Sequence, residues 1–271
     1  MIFGDRYFAE ILLFLLINFR KVFLMSRNIV ITSGKGGVGK SSLTAYLGVE
    51  LCKLKKRVLL IDMDEGLRSL DLILNVSSNS AFDVTDVINE ICPIKKAILP
   101  IPQCNGLFLI PAPAIKGEIN DKYAIKQLVN ELETDFDYIL IDSPAGIGDG
   151  FYSSLIAANE AIVVVNPDPV CVRDGGIVSA LLRKNNLDNI HLVINKVNTK
   201  LMLKGIFKNI DEIIDETEAQ LIAAIPTDNK VISYSAKGEL LPVCYAKDAF
   251  ERLAHRLEGN HILLPNLKKF T

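Results

Sequence analysis

Gly34-Lys35-Gly36-Gly37-Val38-Gly39-Lys40-Ser41 sits between the apolar run Asn28-Ile29-Val30-Ile31-Thr32 and a stretch in which Leu43, Tyr46, Leu47, Leu51 and Leu54 recur at helical spacing. Glycines let backbone N–H groups turn inward around an anion, and a helix starting there adds the positive end of its dipole. The pattern is G-x-x-x-x-G-K-[ST], with a strand before it and a helix after it, which is the setting a phosphate-binding loop needs. Lys40 is placed to reach outer phosphates and the Ser41 hydroxyl to bind Mg²⁺.

Outward from this loop, strand-like runs alternate with helical stretches. Strands are expected at 28–32, 58–61, 107–110, 138–141, 161–165, 190–194 and 221–225. Helices are expected at 40–54, 82–91 with Asp83 or an adjacent residue as a cap, 123–132, 152–158, 174–184, within 204–217, and at 250–257. The strand runs are apolar throughout instead of alternating, so both faces are buried, as in a parallel sheet between helical layers. The expected class is α/β: a single doubly wound, mostly parallel sheet with helices on both faces, of the P-loop NTPase type.

Composition agrees with a globular domain: 271 residues, 49% apolar and 23% charged. A net charge of −2 with no Lys/Arg stripe argues against nucleic acid as a partner. Five scattered cysteines contain no C-x-x-C pair, which argues against a zinc or iron–sulfur carrier. The apolar run Ile11 to Ile17 is shorter than the roughly 20 residues of a membrane-spanning helix and lacks the marks of a cleaved signal. Met25 stands just before the first core strand, so residues 1–24 are expected to lie outside the native chain; a short hydrophobic anchor or partner-binding helix is the alternative. The domain is expected to span 25–258, with a tail at 259–271.

Carboxylates end two of the strands. Ile61-Asp62-Met63-Asp64 closes one, and Tyr138-Ile139-Leu140-Ile141-Asp142-Ser143-Pro144-Ala145-Gly146 carries an acid at the strand tip followed by a turn. In open parallel sheets ligands bind at the carboxyl ends of strands. Asp142 is therefore the expected metal-side acid, and Gly146 a switch position that senses the γ-phosphate.

Lys35, at the second position of the loop, departs from an ordinary phosphate loop. With it, the run Gly34 to Ser42 resembles the deviant Walker A ATPases, the family of MinD, ParA and the Mrp-like carriers. The resemblance covers nearly all of 27–255 and is strongest to the MinD branch. It is carried by Thr32 to Lys40, by Gly66-Leu67-Arg68-Ser69-Leu70-Asp71-Leu72, by Asp142 to Gly146, and by Asn166-Pro167-Asp168-Pro169-Val170-Cys171-Val172-Arg173-Asp174. It implies a slow ATPase that uses ATP and Mg²⁺ and pairs as a homodimer in the ATP state, with Lys35 crossing to the partner's phosphates.

By the same resemblance, Gly34 to Ser42 bind the nucleotide, Asp64 orients the attacking water, and Asp62 joins Ser41 and Asp142 on the metal side. Asn195 and Pro226, each ending a strand, are placed at the adenine. A division inhibitor and a hydrolysis activator are the implied protein partners, at the inner face of the cell membrane. A ParA-type DNA-partition ATPase and a regulator of flagellar number are alternatives. Two departures stand out. Glu65 follows Asp64 where a small apolar residue is usual. The tail also carries Pro265, with only Leu267, Lys268, Lys269 and Phe270 to give it amphipathic character.

Overall fold

Each of β1 (Arg27–Thr32), β2 (Val58–Asp62), β5 (Tyr138–Asp142) and β6 (Glu160–Val165) is buried along almost its whole length in a computed structural model that describes residues 26–66, 68–76, 82–113 and 121–265. Such strands can be satisfied only by an apolar layer on each side, and the sheet has both. Leu59, Ile61, Ile139 and Ile141 face one layer. Val58, Leu60, Tyr138 and Leu140, one residue out of phase, face the other.

With β3 (Leu99–Pro100), β4 (Leu107–Ile110), β7 (Ile190–Val197) and β8 (Gln220–Pro226), these strands form an eight-stranded sheet in the order β3-β4-β2-β5-β1-β6-β7-β8. The two-residue β3 pairs antiparallel with β4, and the remaining pairings are parallel. From the central β1 the chain crosses β5 to reach β2, builds that edge, returns through β5, and crosses β1 to build the other edge. The tips of β1, β2 and β5 thus meet where the winding reverses, the usual ligand crevice of a doubly wound sheet.

The helices are α1 (Lys40–Lys53), α2 (Ser69–Ile73), α3 (Val84–Ile88), α4 (Ile94–Ala97), α5 (Ala124–Leu132), α6 (Asp149–Ala157), α7 (Pro169–Lys184), α8 (Thr199–Leu203), α9 (Ile210–Thr217), α10 (Asn229–Lys237) and α11 (Tyr245–Leu257). Helix α1 runs from the glycine loop beneath the sheet and packs on α11, where the Tyr46 and Phe250 rings lie 5.5 Å apart. Helix α5 covers the opposite face through Ile125, Leu128, Val129 and Leu132.

Several boundaries differ from the sequence expectation. The helix expected at 82–91 closes at Ile88, although Asp83 does cap it in a capping box with Asp86. The helix expected from 174 begins at Pro169, because Asp168 accepts the Cys171 N–H as N-cap and proline is well suited to the first helical position. The stretch 204–217 contributes only α9, preceded by the unanticipated α8, and the last helix begins at Tyr245 instead of 250. Helices α2, α4 and α10 and strand β3 were not anticipated. The apolar run at 11–17, Met25 and the tail residues 266–271 lie outside the described residues.

Candidate nucleotide-binding site

The loop between β1 and α1 is built around two positions that only glycine serves well. Gly39 has φ +100°, and a Cβ there would fall 2.4 Å from Asn195 Nδ2. Gly34 packs so tightly that a Cβ would meet both Cβ and O of Asp174 at 2.7 Å. Loop carbonyls are tied to the tip of β7: Asn195 Nδ2 donates to Val38 O at 2.8 Å, and Lys196 Nζ donates to Gly37 O at 2.7 Å. Gly39 also opens α1 without any side-chain cap, and the first turn holds no acid. Its N–H groups are left for an anion.

Beneath the loop sit two carboxylates in register, Asp62 at the tip of β2 and Asp142 at the tip of β5. Asp142 is fully buried. Ser41 stands close enough to pull its carboxyl down, the Thr44 hydroxyl lies 3.3 Å from its Oδ1, and its Oδ2 has no partner. Burial, and then the neighbouring Asp62 charge, push its carboxyl up to about 8, against the pull of Ser41 and Lys40. Burial likewise raises Asp62 to about 6, although the N–H groups of Asp64 and Leu70 donate to its oxygens at 3.0 and 3.2 Å.

Two crowded acids, one with an unpartnered oxygen, form a site that a cation would relieve. The residues present therefore fit Mg²⁺, which Ser41 and Asp142 would hold. Asp62, its oxygens engaged by backbone, holds the Asp64 loop.

Lys40, Ser41, Ser42, Gly36, Gly37, Gly39 and Asp64 line a cavity of about 580 Å³. Pro226, Val231, Ile232 and Ser235 line the same cavity, with Asn195 beside the loop. Its volume is that of a small-molecule pocket, with a polar cradle leading to an apolar slot. Asn195 keeps acceptor capacity on Oδ1 beside the bond it takes from Lys196 N–H.

A more open neighbouring cavity of about 1080 Å³ shares Thr227 and Asp228 with this one but contains no part of the glycine loop. The chemistry therefore belongs to the smaller cavity. Gly34 and Val38 stand behind the wall, Gly34 against Asp174 and the Val38 side chain in the core.

Lys35 is the exception among the loop residues. Its side chain is half exposed, outside the cavity that Lys40 enters, and its Nζ lies 3.7 Å from Asp168 Oδ1. A surface pair of that length holds it weakly. The sequence reading missed Thr44, Lys196 and the α10 residues of the slot. For α10 a signal existed: Asp228 before the helix and Gly238 after it, the N-cap and the left-handed stop.

A protein-family model described as "ParA: NUBPL iron-transfer P-loop NTPase" matches residues 25–258. The septum site-determining protein MinD of Synechocystis is 39% identical over 244 residues, 88% of this chain and 91% of that protein. Among solved structures, the MinC:MinD cell division complex of Aquifex aeolicus superposes with a TM-score of 0.81 at 36% identity, covering 89% of this chain and 99% of that one. MinD of Pyrococcus horikoshii complexed with Mg-ADP superposes with a TM-score of 0.79 at 28% identity, covering 86% and 96%.

Proposed function

Because the chain belongs to the deviant Walker A P-loop ATPase family of MinD, ParA and Mrp, matching MinD over most of its length, we propose that it is a MinD-type switch whose two lysines serve two different nucleotides. The protein binds ATP with Mg²⁺, hydrolyses ATP, and acts in positioning the division site. What is proposed here is how its residues divide that work.

Lys40 and the uncapped start of α1 hold the phosphates, since both border the cavity and carry positive charge. When bound, Mg²⁺ supplies Lewis-acid neutralisation of phosphate charge. Ser41 and Asp142 would hold it, with Thr44 beside the Asp142 carboxylate and Asp62 fixing the backbone of the Asp64 loop. Asp64, on the cavity wall, orients the attacking water. Pro226, Val231 and Ile232 close on the base, with Asn195 positioned to accept from an exocyclic amine.

Lys35 points out of its own pocket. It acts on the nucleotide of a second copy, where a mobile cation at the transferring phosphoryl is worth about 10³–10⁵ in rate. The cycle runs between monomer and ATP-bound homodimer. A division inhibitor and a hydrolysis activator read the dimer, which works at the inner face of the membrane. No helix among the described residues is long and apolar enough to cross a membrane. In this reading contact with lipid is gained by pairing.

The strongest support is the buried Asp142, with one oxygen unpartnered, directly below Ser41 and the uncapped helix. Light scattering on the full chain tests the reading. Asp64→Ala with saturating MgATP is expected to accumulate as a dimer with negligible turnover and to sediment with anionic vesicles in ATP but not ADP. A variant that stays monomeric would remove the switch.

A further inference from the structure

Five cysteines are present, all free, and two of them meet. Cys52 lies on the last turn of α1, buried. Cys104 lies in the turn between β3 and β4, half-buried and within reach of solvent. The Cys104 Sγ stands 4.0 Å from Val49 O, one turn before Cys52 on the same helix. Two residues beyond Cys104, a Cβ on Gly106 would lie 3.9 Å from Cys52 Sγ. Both thiols therefore border one seam, and each is the leading influence on the other's acidity.

The other three cysteines have separate surroundings. Cys171 accepts the Asn166 N–H, Cys244 caps α11, and Cys92 follows α3.

The two thiols are chemically unequal. The neighbouring Cys52 thiol, with Lys53 nearby, holds the Cys104 thiol below its ordinary value; Cys104 and then burial push Cys52 up. Cys104 is thus the more acidic and more accessible sulfur, and Cys52 the protected one behind it.

We propose that Cys52 and Cys104 are a reversible disulfide-forming pair, in which a hydroperoxide oxidises Cys104 and Cys52 resolves it. The Cys104 thiolate attacks the peroxide oxygen. The O–O bond breaks, an S–O bond forms to give the sulfenic acid, and the leaving hydroxide takes a proton to become water (an alcohol from an alkyl peroxide). Cys52 then loses its proton to the departing hydroxyl and attacks the Cys104 sulfur. The S–O bond breaks, the S–S bond forms, and a second water leaves. Two thiols are oxidised by two electrons in total and one peroxide is reduced; a dithiol reductant reverses the exchange.

The bridge ties the end of α1 remote from the phosphate loop to the turn whose Gln103 Nε2 donates to Gly238 O, the C-cap of α10 on the nucleotide slot.

Hydrogen peroxide added to the full reduced chain, followed by thiol blocking and non-reducing peptide mass spectrometry, tests this. The expected product is a Cys52–Cys104 linked peptide, two hydrogens lighter, that disappears with dithiothreitol. It should form on the order of tenfold faster in the folded chain than in urea, since folding holds the sulfurs together. Cys52→Ser should leave a dimedone-trappable sulfenic acid at Cys104, and Cys104→Ser should form no link, with far-UV circular dichroism confirming that each variant is folded. The proposal is overturned if the folded parent gives an unlinked oxidised Cys104, if other pairings predominate, or if the link forms no faster than in urea. The parent-chain comparison decides the matter even if a serine variant fails to fold.

Discussion

Lys35 and Lys40 stand in one loop yet meet different surroundings, and that contrast sets their roles. Lys40 is 7% exposed and borders the cavity; the Lys35 side chain is 50% exposed and lies outside it. Lys40→Ala is expected to lower ATP turnover by about 10²–10³, the usual cost of losing one preorganised donor to developing charge, with nucleotide binding weakened alongside; steady-state phosphate release measures it. Gly39→Ala should act through shape. It places a methyl 2.4 Å from Asn195 Nδ2 at a backbone angle L-residues avoid. Nucleotide affinity, read by calorimetry, is expected to collapse while circular dichroism shows the sheet intact. Unchanged affinity would mean that the loop does not depend on this approach. The sequence pattern already contained these glycines and lysines. It could not contain Thr44 or Lys196, because their roles depend on strands β5 and β7 arriving beside the loop.

The elements show what periodicity can and cannot reveal. Strands were readable to within a residue or two for most of the sheet because both of their faces are buried, which leaves an unbroken apolar run. The sequence marks helix α10 only faintly, because its apolar face is short: Val231 and Tyr234, three residues apart, pack against the core but none of its residues is fully buried, although it walls the nucleotide slot. The start of α7 was misplaced because Pro167 reads as a stop, whereas Asp168 and Pro169 together begin a helix. Of the residues at the start of α3, Asp83 is the one that caps it. Its side chain accepts the N–H groups of Thr85 and Asp86 while Asp86 bonds back to Asp83 N–H. Asp83→Ala is expected to cost about 1 kcal/mol of stability, seen as a lowered urea midpoint with an unchanged slope. An unaltered midpoint would show α3 to be held by packing alone.

At the scale of the whole molecule, an ionic knot at the amino ends of the central strands, opposite the loop, joins distant parts of the chain. Arg27 on β1 holds Glu160 on β6 through Nε and Nη2, contacts the Tyr138 hydroxyl at 3.0 Å, and donates to Leu257 O at the end of α11. Burial raises the Glu160 carboxyl, but the Arg27 hydrogen bond, with His191 beside it, outweighs burial and brings it to about 2, from an ordinary 4.5. A carboxyl held low in the folded state gives stability that is complete above pH 4.5 and is lost as pH falls toward 2. Denaturant melts across that window should show the decline, and Glu160→Gln should flatten it. A decline of equal size in the variant would place the acid sensitivity elsewhere.

The central claim concerns two copies of the molecule: each lends Lys35 to the nucleotide of the other. Specific ATPase activity measured against protein concentration, with light scattering on the same samples, tests it most directly. The parent is expected to gain activity per chain as it pairs in MgATP, while Lys35→Ala binds ATP but shows no such rise and stays at a basal rate. If Lys35→Ala pairs and turns over as the parent does, the second lysine serves no partner and the shared site is refuted.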